Sequence, residues 1–284
     1  MASMAIALLS PRSLCASALV LALGLAGCGP TIDNRAYVPT APTAKDRRLA
    51  FMVAESELHK YSASRHVEHP IQGIDVSKYQ GDIDWQAVHD SGVRFAWIKA
   101  TEGGDVLDSK FQANWEGSRA AGIPRGAYHF MFWCRPWQEE ANWFIKNVPV
   151  EPDALPPVLD VEATPQSKMC KRTLERDKTI ADMRLILQEL ERHYGKKPVI
   201  YSSVDFYQSI LSDGALSDYP IWVRSTKYHP AVRYGNRHWH IWQYASDGSV
   251  PGIQGAVDRN AFYGSEGDWR RWLRGEDSMV AQKN

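Results

Sequence analysis

Short apolar segments alternate with helical segments from Ile71 onward, and this alternation constrains the fold more than any other feature of the sequence. Segments typical of buried strands cover residues 73–76, 95–99, 126–130, 157–162, 198–201, 221–223 and 240–244. Segments with helical periodicity cover residues 84–91, 109–121, 137–147, 171–194 and 204–212. Because strands and helices follow each other in turn, the sequence predicts βα units that assemble into a parallel sheet.

The number of these units favours a closed barrel. Seven or eight βα units in about 200 residues fit a β/α barrel better than a doubly wound open sheet. The nearest candidate for a phosphate-binding loop, residues 101–105, has neither the required spacing nor the lysine, so nucleotide binding is not expected. The predicted fold class is therefore α/β, a TIM-like barrel that forms a single catalytic domain.

The overall charge excludes one large class of function. The chain has 284 residues, of which 33 are basic and 33 are acidic, so its formal net charge is zero. A general nucleic-acid binder usually carries a large basic excess. We therefore expect no nucleic acid among the partners of this protein.

The N-terminal segment has the features of an export signal. Residues 1–27 contain one charge, Arg12, followed by an apolar run that is too short for a transmembrane helix. The run ends in Leu-Ala-Gly-Cys, which resembles the lipobox of bacterial lipoproteins and predicts lipid modification of Cys28. A plain signal peptide is the alternative. Gly29 after the cysteine favours an outer-membrane anchor facing the periplasm, with the inner membrane as the other possibility.

Three further regions follow the predicted signal peptide. Residues 28–69 are proline-rich at their start and have little apolar periodicity, which predicts a lipid-anchored spacer. Residues 70–275 contain the barrel, and residues 276–284 form a C-terminal tail. The anchor would hold the barrel at a membrane.

The remaining cysteines form an even pair. Once the signal peptide is removed and Cys28 carries lipid, Cys134 and Cys170 remain in a compartment that permits disulfides. We expect these two residues to pair, and two separate free thiols are the alternative. Ligands at zinc spacing are missing, so the sequence predicts no metal and no cofactor.

Polar side chains gather where the predicted strands end, and barrel active sites are assembled at that end. The residues concerned are Asp75, Glu102, Tyr128, His129, Asp160, Glu162, Tyr201, Gln243 and Tyr244. Acidic residues at several strand ends indicate one shared cleft.

Asp160-Val161-Glu162 is the sharpest local signal in the chain. Residues i and i+2 of a strand face the same side, with their Cα atoms roughly 6.6–6.8 Å apart. Two carboxyl groups held this closely cannot both ionise freely, so the pKa of one should rise. A protonated carboxyl and a neighbouring carboxylate are what glycoside hydrolysis needs. Two solvated acids at a strand end are the alternative interpretation.

Five segments of the chain, in order, resemble glycoside hydrolase family 25, the lysozymes of the Chalaropsis type. They are residues 71–85 (containing Gly-Ile-Asp-Val-Ser-Lys-Tyr-Gln-Gly), 98–103, 125–130, 157–162 and 241–260. The resemblance implies a flattened, irregular β/α barrel. It also implies cleavage of the β-1,4 bond between N-acetylmuramic acid and N-acetylglucosamine in the glycan strands of peptidoglycan.

The resemblance implies roles for individual acids. Glu162 matches the catalytic acid, and Asp160 matches a partner that orients or stabilises an assisting N-acetyl group of the substrate. Asp75 and Asp258 match acids that line the same cleft. We favour assistance by the 2-acetamido group over a covalent enzyme intermediate.

Other residues are candidates for binding the substrate. They are Glu102, Tyr128, Tyr201, Trp222, Trp242 and Gln243, with the two tryptophans expected to stack on sugar faces. Three of them have a plain alternative: Glu102 as a turn acid, and Tyr128 and Tyr201 as core residues. His129 is interpreted equally well as a buried core histidine or as a site residue.

Two other functions compete with that of a muramidase. A glycosidase acting on another amino-sugar polymer, such as chitin, would need the same acids. A catalytically inactive, peptidoglycan-binding lipoprotein would be expected to lack a catalytic acid, whereas all four matching acids are present. The sequence does not identify a protein partner, so protein partners stay unknown.

Overall fold

The computed structural model describes residues 62–163, 170 and 172–276. Nine strands lie in this part of the chain: β1 Gln72–Val76, β2 Phe95–Glu102, β3 Val106–Leu107, β4 Arg125–Phe130, β5 Val158–Val161, β6 Val199–Ser202, β7 Ile221–Arg224, β8 Ile241–Gly248 and β9 Val257–Phe262. All seven predicted strands are present and begin within one residue of their expected starts, while β2 and β8 extend three and four residues beyond their expected ends.

Eight of the strands close into a barrel in the order β1-β9-β8-β7-β6-β5-β4-β2, because β1 also pairs with β2. The neighbours from β1 through β2 and β4 to β8 are parallel. The β9 strand runs antiparallel to both β8 and β1. The short β3 strand forms a hairpin with the end of β2. The expected irregular β/α barrel is confirmed.

The expectation of a wholly parallel sheet is corrected by β9. Eight residues, 249–256, separate β8 from β9. A parallel crossover needs a dozen or more residues, whereas a short connection returns the chain antiparallel. The last barrel strand, β9, therefore runs in the opposite direction to its neighbours. Its inward-facing side chains still reach the end of the barrel at which the parallel strands end.

Seven helices occur in the described residues: α1 Trp85–Asp90, α2 Phe111–Ala120, α3 Trp137–Asn147, α4 Arg176–Tyr194, α5 Val204–Phe206 (continued as a π-helical turn, Tyr207–Leu211), α6 Ala231–Tyr234 and α7 Glu266–Leu273. Polar caps begin several of them. Asp84 accepts a hydrogen bond from the Ala87 N–H at α1, and Ser265 forms a capping box with Asp268 at α7. Helix α7, which the sequence analysis missed, buries Trp269 against the barrel strands.

The barrel interior is filled with aromatic side chains toward the amino ends of its strands. Phe95 and Trp97 of β2 project inward and are fully buried, and Trp97 packs against Trp222 with ring centroids 5.2 Å apart. Glycines on the neighbouring strands make this possible. A Cβ atom would lie 2.3 Å from the Phe95 ring at Gly73 and 2.4 Å from the Trp97 indole at Gly126. This end of the barrel is closed, so an interior site can open only at the carboxyl ends of the parallel strands.

Residues at the end of the predicted spacer contact the barrel. Ala63–Glu68 form a 3₁₀ helix, and the His66 ring stacks on Tyr244 with centroids 3.8 Å apart. Gln72 donates a hydrogen bond to the His69 carbonyl at 2.6 Å. The domain boundary at residue 70 stays a prediction. The predicted signal peptide, Cys28 and most of the spacer lie outside the described residues, and no helix within the described part is long and apolar enough to cross a membrane.

Candidate active site

A polar cleft of about 480 Å³ opens at the carboxyl ends of the parallel strands. Its walls are formed by inward-facing strand residues and by the loop after β1: Asp75, Val76, Ser77, Tyr79, Gln80, Lys99, Tyr128, Phe130, Asp160, Glu162, Tyr201, Trp222, Arg224, Gln243, Ser246 and Asp258. Four carboxyl groups, two cations and several aromatic rings thus share one cavity.

Asp75 and Asp258 lie directly opposite each other across the antiparallel β1–β9 pair. Burial, together with the negative charge of Asp258, raises the pKa of Asp75 to about 8. Burial also raises the pKa of Asp258, while Arg224 and a hydrogen bond with Asp75 act in the opposite direction. Near neutral pH the pair therefore holds a proton, which resides mainly on Asp75.

Two amide side chains hold Asp75 in place. Its Oδ2 atom accepts hydrogen bonds from Gln243 Nε2 at 2.9 Å and from Asn260 Nδ2 at 2.8 Å. Tyr201 donates to the Gln243 oxygen at 3.0 Å, and the Trp222 indole donates to the Asn260 oxygen at 2.8 Å. Because both amide oxygens already accept a hydrogen bond, both NH₂ groups are oriented toward Asp75.

Asp160 and Glu162 reach the cleft from the end of β5. Burial raises the pKa of Asp160 well above its usual range, and the charge of Glu162 raises it further. Burial also raises the pKa of Glu162, with Arg224 and Lys99 opposing the effect. The Oδ1 atom of Asp160 is buried and has no hydrogen-bond partner among the described residues. This pair can therefore keep a proton at a higher pH than ordinary carboxyl groups do. It also presents to a bound molecule an oxygen to which no described residue is hydrogen-bonded.

Lys99 connects Glu102 to this group of acids. Its Nζ atom bonds Glu102 at 2.7 Å, and its charge lowers the pKa of Asp160 and Glu162. Glu102 is half-buried at the end of β2 and is not among the cleft-lining residues. Glu102 therefore acts on the cleft through Lys99 and through its own charge, which raises the pKa of Asp160. A direct contact of Glu102 with substrate stays a prediction.

The loop after β4 supports the strand end that carries Glu162. The Trp133 indole donates to the Glu162 carbonyl oxygen at 2.9 Å and stacks on Phe206. Arg172 donates to the Trp133 carbonyl at 3.0 Å. The predicted disulfide between Cys134 and Cys170 is confirmed, with the Cα atoms 5.7 Å apart. It joins the loop after β4, whose Trp133 contacts Glu162, to the chain that follows β5.

Most of the predicted site residues meet in the cleft. Those that line it are Asp75, Tyr128, Asp160, Glu162, Tyr201, Trp222, Gln243 and Asp258. Burial raises the pKa of both tyrosines well above the usual range, so they act as neutral hydrogen-bonding groups. Trp222 is 2% exposed, and its stacking on a sugar stays a prediction.

Trp242 does not belong to the cleft, which corrects the expectation that it stacks on a sugar. Its side chain is fully buried in the outer core between barrel and helices, and its indole donates to the Ser225 carbonyl at 2.9 Å. Successive strand residues face opposite sides. Because Gln243 faces the cleft, its neighbour Trp242 must face away.

His129 also lies outside the cleft. Its ring is fully buried between Thr101 Oγ1, at 2.7 Å, and Glu140 Oε2, at 3.0 Å. The same Glu140 oxygen accepts from the Phe132 N–H at 2.8 Å. Of the two interpretations left open by the sequence, the buried core histidine is the one observed. Its network supports the loop that carries Trp133.

Two functional side chains were missing from the predicted site. Asn260 follows Asp258 by two residues on β9, and Arg224 follows Trp222 by two residues on β7. Period-two spacing from a predicted site residue was the available signal for both. For Arg224 the signal was usable directly, since residues 221–223 were already predicted as a strand. For Asn260 it became usable only once residues 257–262 were known to form β9.

Comparisons with known proteins agree with this geometry. The family described as Glycosyl hydrolases family 25 matches residues 74–253. The uncharacterized protein YegX of Escherichia coli O157:H7 is 39% identical over 210 residues, which are 72% of this chain and 74% of that protein. Lysozyme M1 of Streptomyces globisporus is 36% identical over 209 residues, 69% of this chain and 68% of that protein. The solved bacterial lysozyme from Streptomyces coelicolor superposes with a TM-score of 0.65 at 33% identity, covering 72% of this chain and 98% of that one.

Proposed function

Because this chain belongs to glycosyl hydrolase family 25 and is thus a glycoside hydrolase, we propose that it is an N-acetylmuramidase of peptidoglycan. The bond cleaved is the β-1,4 linkage between N-acetylmuramic acid and N-acetylglucosamine. The lysozymes among its relatives support a peptidoglycan substrate.

The observation that carries this proposal is the pair of carboxyl groups at the end of β5. Asp160 and Glu162 line one cleft, and burial raises the pKa of both. A carboxyl group that keeps its proton near neutral pH can protonate a glycosidic oxygen, which is the demanding step in breaking the bond.

Glu162 is the proposed general acid and base. It is less buried than Asp160 and lies closer to solvent at the mouth of the cleft. In the first step its proton passes to the bridging oxygen as the bond to C1 breaks. In the second step its carboxylate removes a proton from the water that attacks C1, which restores the acid.

Asp160 is proposed to assist through the substrate's 2-acetamido group. Its buried, unpaired oxygen is suited to accept the acetamido N–H while the acetamido carbonyl oxygen bonds to C1. That intermediate would be a cyclic oxazolinium ion, which water then opens. A sugar covalently attached to Asp160, trapped and identified by mass spectrometry, would contradict this route.

The anchored location is part of the proposal. A lipid on Cys28, with residues 28–69 as a spacer, would hold the barrel at a membrane facing the periplasm. Tethering raises the local concentration of an enzyme near an immobile polymer without any new contact. Metabolic labelling with a clickable palmitate analogue, comparing the parent with Cys28→Ser, tests this point: a label that persists in the variant refutes it.

The activity is tested on purified peptidoglycan with residues 29–284, produced in an oxidising compartment. Glu162→Gln is the inactive variant. Glu266→Gln is the matched control because Glu266, on α7, is exposed and ion-paired with Arg94. The fragments are reduced, and the sugar at the reducing end is identified by mass spectrometry. Reduced N-acetylmuramic acid from the parent and control, with none from Glu162→Gln, is the expected result.

Two other outcomes would replace the proposal. Intact peptidoglycan, with the parent protein still pelleting on it, supports an inactive wall-binding lipoprotein. Cleavage of chitin oligomers in preference to peptidoglycan supports a glycosidase of another amino-sugar polymer.

A further inference from the structure

Arg224 is a cation of the cleft that forms no ion pair with any acid among the described residues. Two cationic side chains are among the cleft-lining residues, Lys99 and Arg224. Lys99 forms an ion pair with Glu102, with its Nζ atom 2.7 Å from Glu102 Oε2. The Arg224 guanidinium, in contrast, forms neither an ion pair nor a hydrogen bond with any residue in the described part of the chain. The hydrogen bonds that Arg224 does form there involve its main-chain N–H and carbonyl groups.

The backbone directs this side chain into the cleft and fixes its base. Ile221 and Val223 of β7 lie in the outer core, so the alternate residues Trp222 and Arg224 face inward. The buried Tyr234 hydroxyl accepts from the Arg224 N–H at 3.1 Å and lies 2.8 Å from its carbonyl oxygen. The guanidinium therefore projects from an anchored strand end.

The position of Arg224 places it beside the reacting groups. Its charge acts on both Glu162 and Asp258, although it forms an ion pair with neither. A guanidinium has five N–H donors in a planar fork that matches a carboxylate. An unpaired fork beside the proposed acid is therefore suited to an anionic group on the substrate.

We propose that Arg224 binds a carboxylate on the muramic acid side of the scissile bond and makes the cleft selective for strands that carry one. This inference rests on the proposed muramidase function and adds a specificity-determining residue to it. Polymers of N-acetylglucosamine carry no carboxylate, so such a contact separates peptidoglycan from chitin. The carboxylate has two possible sources: the lactyl group of a peptide-free strand, or the peptide attached to that group.

The experiment compares four substrates: peptide-bearing and peptide-free glycan strands, each untreated or with its carboxyl groups converted to amides by a carbodiimide and ammonia. The enzymes are the parent, Arg224→Gln and Arg224→Lys, all as residues 29–284. Arg184→Gln is the matched control because Arg184 pairs with Asp218 on the surface, away from the cleft. Thermal unfolding of each variant verifies that it is folded.

Loss of a charge-assisted hydrogen bond lowers affinity by about ten- to hundred-fold. We expect the parent and Arg184→Gln to show a fall of that size in kcat/KM when the carboxyl groups are amidated, mainly through KM. Arg224→Gln should process untreated and amidated strands equally. If amidation lowers kcat/KM on peptide-free strands, the carboxylate bound is that of the lactyl group. If it does so on peptide-bearing strands, the carboxylate bound is that of the peptide.

Arg224→Lys separates substrate recognition from an effect on the acids. A lysine keeps the positive charge near Glu162 and Asp258 but lacks the fork. It should therefore keep the parent's pH profile while losing most of the carboxylate preference. Two results would overturn the inference. One is that Arg224→Gln lowers kcat/KM, relative to the parent, by the same factor on untreated and on amidated strands. The other is that the parent itself cleaves both kinds of strand equally well. If the parent cleaves none of the four substrates, the proposed function fails instead.

Discussion

The Trp133 indole N–H lies 2.9 Å from the main-chain carbonyl oxygen of Glu162, so a residue of the loop after β4 holds the proposed general acid of β5 by its backbone. Trp133 is 5% exposed, and its ring stacks on Phe206 with centroids 5.2 Å apart. The adjacent residue, Cys134, ties the same loop to Cys170. The orientation of Glu162 thus depends on a second loop as well as on its own strand.

Trp133→Phe tests this relationship. Phenylalanine keeps most of the packing against Phe206 but removes the N–H donor, so the Glu162 carbonyl loses its partner. We expect kcat on peptidoglycan to fall about five-fold with KM nearly unchanged, since a single neutral hydrogen bond contributes about 1 kcal/mol. An unchanged kcat would show that Glu162 is positioned without Trp133.

Removal of the disulfide should act mainly on stability. Cys134 and Cys170 are 36 residues apart in the sequence, and the chain-entropy model for a loop of that length gives about 4 kcal/mol. We expect the Cys134→Ser/Cys170→Ser double variant to unfold at a clearly lower urea concentration than the parent. The parent measured under reducing conditions should match the double variant. Equal midpoints for all three samples would contradict this expectation.

Asp75 should make stability depend on pH. Its pKa rises from an ordinary value of 3.8 to about 8 on folding, so between these limits the unfolded chain releases a proton that the folded chain keeps. The unfolded state then binds fewer protons, and the free energy of unfolding falls as pH rises across this window. Above about pH 8 the group is ionised in both states, and this contribution no longer changes.

Asp75→Asn checks the sign of this effect. Asparagine resembles the protonated acid and can still accept from Gln243 and Asn260. The urea midpoint of the variant should exceed that of the parent, and the difference should grow from about pH 4 to about pH 8. Parallel pH profiles for the two proteins would show that Asp75 does not keep its proton on folding.

The tryptophans of β7 and β8 form a matched pair for a fourth test. Trp222→Phe removes the donor to the Asn260 oxygen and so loosens the amide that holds Asp75. Trp242→Phe removes the donor to the Ser225 carbonyl in the outer core. Each leaves a buried acceptor unpaired, at a cost of about 1–3 kcal/mol in stability.

Only Trp222→Phe should also alter the chemistry. We expect its kcat/KM on peptidoglycan to fall several-fold, whereas Trp242→Phe, measured well below its melting temperature, should match the parent. Melting temperatures and steady-state rates of the two variants decide the point. A comparable loss of activity in Trp242→Phe would mean that the outer core controls the cleft.

The sequence by itself determined seven of the nine strands and five of the seven helices of the described residues, and it determined the end of the barrel at which the candidate site lies. Both follow from local patterns: strand-length apolar segments, helical periodicity and the polar residues that close each strand. The spacing of Asp160 and Glu162 was enough to place both on one face, because strand geometry repeats every two residues. The even pair of cysteines that remains after the predicted signal peptide and Cys28 was enough to predict their disulfide.

Only the tertiary structure decided which face of a strand became the cleft and which distant groups met there. Trp222 and Trp242 have similar neighbours in sequence, yet barrel closure turns one inward and the other outward. Asp75 and Asp258 are brought together by antiparallel β9. Lys99 pairs with Glu102, and Arg224 has no side-chain partner in the part of the chain that the structure describes. The pKa of a carboxyl group depends on its burial and on charges a few ångströms away in space. Because these residues are far apart in the chain, their burial and their neighbouring charges are fixed only when the barrel closes.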